Sequence, residues 1–82
     1  MHLEFKLARQ NRNYAMIMLR RWAIQWSKAD PKFTSVIERP DTETTDITVE
    51  LEKPSDYTMF ILTWDQDMVP YKLRYDQAQN EA

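Results

Sequence analysis

The chain contains no glycine, and that absence constrains it more than any residue it does contain. Average usage of roughly 7% predicts about six glycines in a chain of this length. Glycine supplies positive φ and close backbone approach to a ligand. Without it, phosphate-cradling loops, the dinucleotide fingerprint and the nucleophile elbow are not available. Cysteine is absent too, which removes a disulfide frame, a thiolate nucleophile and any cysteine-ligated metal site. The single histidine is His2, so one chain supplies neither a histidine-pair metal site nor a histidine-based triad. No cofactor and no metal is expected.

With 82 residues the chain is read as one small domain. A core this small is thin, and the ten aromatic residues are its natural candidates. The composition, 43% hydrophobic and 29% charged, fits a globular domain and not a disordered one. No apolar run approaches the ~18 residues of a membrane span, and a secretory h-region is missing, so a cytoplasmic protein is expected. The net charge of −2 is unevenly distributed. Residues 1–33 carry seven basic side chains against Glu4 and Asp30, whereas residues 34–82 carry four against eleven acidic ones. Such a bipolar surface can steer a charged partner.

Period-2 alternation of Met1, Leu3, Phe5 and Leu7 predicts an N-terminal strand at 1–7. A helix is predicted over about 12–28, with Tyr14, Ala15, Met18, Leu19, Trp22, Ala23 and Trp26 on its inner face. Asp30 before Pro31 ends it. An antiparallel β-meander is expected to follow, with strands at about 33–38, 46–52, 57–64 and 69–75 and turns at 53–56 and 65–68. Pro70 confines the last strand to an edge. Residues 76–82 read as a flexible polar tail. The predicted fold is a two-layer α+β domain, one helix across the sheet.

In that arrangement four-residue turns place Ile47, Val49, Leu51, Phe60, Leu62, Trp64, Val69, Tyr71 and Leu73 on the inner sheet face. Tyr57, Met59 and Ile61 then point outward from the central strand, with Glu50 on one side and Lys72 and Arg74 on the other. An apolar centre ringed by charge is the pattern of a protein-binding hot spot, and self-association as a homodimer is part of that reading. A second candidate surface is the outer face of the helix, where Ile17 and Ile24 lie among Arg20 and Arg21. Nucleic-acid binding through the basic helix face is the alternative expectation. Carboxylates at Glu38, Asp41, Glu43, Asp65 and Asp67 could form acid–base pairs, and Asp65 and Asp67, which flank one turn, could hold a hard cation. Turn carboxylates more commonly bond their own backbone, and an enzyme is not expected.

A helix leading into a meander, with tryptophans on both, over about residues 14–75, resembles the small bacterial immunity proteins that neutralise toxins. It also resembles small phage-encoded inhibitors of host enzymes. The resemblance implies a non-catalytic module that acts by binding a partner protein. The helix stripe carries a test: Trp22→Ala should cost roughly 3–5 kcal/mol, as large-to-small aromatic core changes do. An unshifted thermal unfolding curve would show that Trp22 is not in the core.

Overall fold

The computed structural model describes residues 1–75; the predicted tail at 76–82 lies outside the described residues. The elements are β1 (His2–Ala8), α1 (Arg12–Trp22), β2 (Lys32–Arg39), β3 (Thr44–Glu50), α2 (Pro54–Thr63) and β4 (Lys72–Arg74). A 3₁₀ turn at Arg9–Asn11 precedes α1, and a π-helical turn at Ala23–Ser27 extends it. All strand pairs are antiparallel, in the spatial order β2-β3-β1-β4. β3 is inserted between β1 and β2, and β1 between β3 and β4. That connectivity is the split βαβ, or ferredoxin-like, arrangement.

The α+β class, the antiparallel sheet and the N-terminal strand are as the sequence predicts. The meander is not, because residues 57–64 fall in α2 and its C-cap and not in a central strand. The segment Lys53-Pro54-Ser55-Asp56, which reads as a turn, is a helix start. Pro54 occupies the first turn, where its missing N–H is not needed. The Asp56 carboxylate accepts the Lys53 N–H at 3.1 Å and the Asp56 N–H donates to the Lys53 carbonyl at 2.9 Å. A short run that is apolar on every side looks alike as a buried strand and as a buried helix. The cap decides between them. The last strand is shorter than predicted, 72–74 in place of 69–75.

One face of the sheet is covered. Leu3 and Phe5 of β1, Ile47 and Val49 of β3, Ala15 and Leu19 of α1 and Phe60 of α2 are almost fully buried and form one core. Phe60 touches four other rings. It stacks on Trp64 at 4.7 Å and meets Trp22, Tyr71 and Phe5 edge-on at 4.9, 4.9 and 6.3 Å. The buried ring donors are satisfied: Trp22 Nε1 donates to Thr63 Oγ1 at 2.7 Å and Trp64 Nε1 to the Val69 carbonyl at 2.8 Å.

Of the predicted inner helix face, Ala15, Leu19, Trp22 and Ala23 are buried, whereas Tyr14 and Trp26 are largely exposed. For Trp26 the cause is the π turn, in which the Lys28 N–H reaches back five residues to the Ala23 carbonyl at 2.6 Å. The wider turn takes Trp26 off the stripe that a regular helix would continue.

Chain reversals without glycine place ordinary residues in the left-handed region, Lys28 at φ 63° and Glu43 at φ 54°. Lys28 caps the π turn, a position where glycine carries no Cβ penalty. Lys28→Gly should therefore stabilise the domain by about 1 kcal/mol. Urea denaturation checks this, and a destabilised variant would contradict the strain at this position.

Candidate protein-binding surface

The two faces of the molecule differ in kind. On the uncovered sheet face β1 presents His2, Glu4 and Lys6, and β3 presents Thr44, Asp46, Thr48 and Glu50. These are polar, and several are engaged with neighbours. The Glu4 carboxylate accepts from His2 Nε2 at 2.9 Å and from Arg74 Nε at 3.1 Å. Arg39 Nε bonds Asp46 Oδ2 at 2.6 Å. Neither β1 nor β3 carries an apolar stripe on this face.

The sheet-face site predicted from sequence is taken apart by α2. Tyr57 is buried, its hydroxyl accepting the Leu51 N–H at 2.9 Å and donating to the Met1 carbonyl at 2.7 Å. Met59 packs half-buried against the core. Ile61 is exposed. In a strand these three would share one face; at 100° per residue they spread around the helix. Lys72 and Arg74 lie on β4 and Glu50 on β3, two strands that β1 separates.

The second predicted surface is assembled. Ile17, Arg20, Arg21 and Ile24 follow one another at helical spacing on the outward side of α1 and its π extension, and all four are exposed. Ile24 is 72% exposed and Ile17 52%. The opposite side, through Ala15, Leu19 and Trp22, is anchored in the core, so this stripe cannot turn inward. No acidic residue occurs between Glu4 and Asp30. Among the described residues, neither Arg20 nor Arg21 has a carboxylate partner; the Arg20 guanidinium lies over the Phe33 ring, 5.5 Å from its centroid. Arg12, on the flank, is paired with Glu38.

Sequence reasoning missed Leu62, which is 74% exposed on α2. As a strand residue it belonged to the inner face, and the helix start at Pro54 is the signal that would have placed it outside. The carboxylates do not gather. Asp65 Oδ1 accepts the Asp67 N–H at 3.0 Å, ordinary turn chemistry. Among the described residues no group of three or more potential ligands is placed to hold a metal ion. No described helix is long and apolar enough to cross a membrane.

Comparison with known proteins finds no family model, no curated protein and no solved structure that matches this chain.

Hydrogen bonds from His2 first, then Arg74, hold the Glu4 carboxyl below its ordinary pKa, against a smaller opposing effect of burial. A carboxylate with a depressed folded-state pKa contributes stability above its unfolded value and loses it as pH falls through the folded one. The difference in stability between wild type and Glu4→Gln should accordingly shrink between about pH 7 and about pH 3. Urea titrations at several pH values measure it, and a pH-independent difference would mean the bonds do not act on ionised Glu4.

Proposed function

We propose that this chain is a non-catalytic protein-binding module that docks an acidic surface of its partner through the outward face of α1. The observation that carries the reading is the pair of exposed isoleucines, Ile17 and Ile24, flanking two arginines that have no carboxylate partner among the described residues. Isolated exposed aliphatics are unremarkable. Here two occur one heptad apart on a helix whose other side is fixed in the core. Aliphatic contacts supply burial, and the exposed guanidiniums of Arg20 and Arg21 supply charge selection. A module of this kind acts by occupying a partner's surface, as a bacterial immunity protein or a phage-encoded inhibitor does. A cytoplasmic site of action belongs to the same reading and suits a chain without cysteine.

Nucleic-acid binding is the second reading, favoured by the acid-free stretch that contains Arg9, Arg12, Arg20, Arg21 and Lys28. Salt separates the two. Phosphate contacts produce a steep loss of affinity with salt, whereas aliphatic contacts survive it.

Ile24→Asp should leave stability within about 0.5 kcal/mol of wild type, since the residue is exposed. It should weaken partner binding by about 2 kcal/mol, some thirtyfold in Kd, if Ile24 is a hot spot. The check is affinity capture with wild type and variant side by side. A protein retained by the wild type and lost by the variant supports the module. Retention that ignores the substitution rejects this face. Retained nucleic acid that salt elutes gives the second reading its support.

A further inference from the structure

The two helices cover the same sheet face and carry opposite charge. No acidic residue occurs between Glu4 and Asp30, the stretch that holds α1. No basic residue occurs between Lys53 and Lys72, the stretch that holds α2. Ile17, Arg20, Arg21 and Ile24 are exposed on the α1 side of this layer. On the α2 side Ile61 and Leu62 are exposed, and so are Asp65 and Asp67 just beyond the helix end. Among the described residues neither Asp65 nor Asp67 has a basic partner.

Two hydrogen bonds fix how the helices lie together. Trp22 Nε1 donates to Thr63 Oγ1 at 2.7 Å, and Ser27 Oγ donates to Asp56 Oδ2 at 3.2 Å. Residue numbers rise along α1 and its extension as they fall along α2, so the two run antiparallel. At about 1.5 Å per residue these bonds also set the levels of the exposed residues. Ile24, two residues past Trp22, stands level with Ile61 and Leu62. Arg20 and Arg21, just before Trp22, stand level with the chain that leaves α2 towards Asp65.

A closed pair of identical chains is related by a two-fold axis. An axis that runs along the helices, between them, sets α1 of each copy on α2 of the other and leaves every residue at its own level. Ile24 then meets Leu62, and Arg20 and Arg21 meet Asp65, twice in one interface. An axis across the helices sets α1 on α1 and places the arginines against their own copies, which opposes binding.

We propose that the helix layer is the interface of a homodimer, in which α1 of each copy docks on α2 of the other. This rests on the reading of the α1 face as an acid-selecting surface, and it names a second copy as the occupant. Ile24 and Leu62 form the apolar centre of the contact, and the arginines and Asp65 set its register. A foreign acidic partner competes with the second copy for the same face.

The test is sedimentation equilibrium on the whole chain up to about 1 mM, a range that detects weak dimers. Wild type should dimerise. Leu62→Lys, at an exposed position, should keep its melting temperature and raise the dimer Kd about tenfold or more. Arg21→Glu and Asp65→Arg should each weaken the dimer by a similar factor, and an equimolar mixture of the two should recover it. In the mixed pair one α1–α2 contact is wild type and the other has both charges reversed. Asp65→Arg also removes the turn bond to the Asp67 N–H, so Leu62→Lys carries the test if that variant unfolds. A dimer indifferent to Leu62→Lys, or a mixture of folded variants no stronger than its parts, would overturn the proposal. A wild type that is monomeric at about 1 mM but captures a foreign protein through Ile24 overturns the dimer and leaves the α1 reading standing.

Discussion

Phe60 is the contact on which the rest of the domain depends. Its ring meets Phe5 from the sheet, Trp22 from the first helix, Trp64 from the end of the second and Tyr71 from the approach to the last strand. Each pair contributes beyond its buried area. In a chain this short, with little apolar surface to bury, one shared cluster has to join every layer. The polar ends of the cluster are as important as its faces. Trp22 reaches Thr63, and Ser27 Oγ reaches the buried Asp56 carboxylate at 3.2 Å. The second helix is thereby fixed along the first near both of its ends, and the indole of Trp22 is buried without an unpaired donor.

The aromatic core could be read from composition, and the period-2 alternation of β1 and β3 located both central strands. What could not be read by periodicity was Tyr57-Thr-Met-Phe-Ile-Leu-Thr-Trp64. Its residues are nearly all apolar, so neither a period of 2 nor one of 3.6 stands out. Tyr57, Phe60 and Trp64, spaced i, i+3 and i+7, do describe a helical stripe, but that spacing competes with equally good alternation. The decisive information was local and lay upstream, in Pro54 and Asp56. Assigning that segment to a strand also produced a self-consistent register for two turns, which shows that internal agreement between hairpins does not test the element they share.

The candidate surfaces divide along the same line. The α1 face was legible because that helix has a strong period, with core and solvent sides that separate cleanly. Ile17, Arg20, Arg21 and Ile24 stay together whatever the sheet does. The sheet-face site depended on the misassigned strand and dissolved with it. Trp26 and Tyr14 mark the remaining limit. A π turn and a helix end shift side chains off a stripe without any change in residue pattern.

The short pairing of β1 with β4 follows from one residue. Pro70 was recognisable in sequence as an edge residue, since it removes a ladder donor. Only the sheet order shows which strand loses it. Because β1 is inserted between β3 and β4, the missing bond falls on a central strand, not on the outer one. The edge strand β2 by contrast carries a bulge between Phe33 and Ser35 and the charges of Lys32, Glu38 and Arg39, devices that discourage pairing with a further strand. Pairing between β1 and β4 thus ends at Glu4↔Lys72, whereas β3 follows β1 on its other side to Ala8.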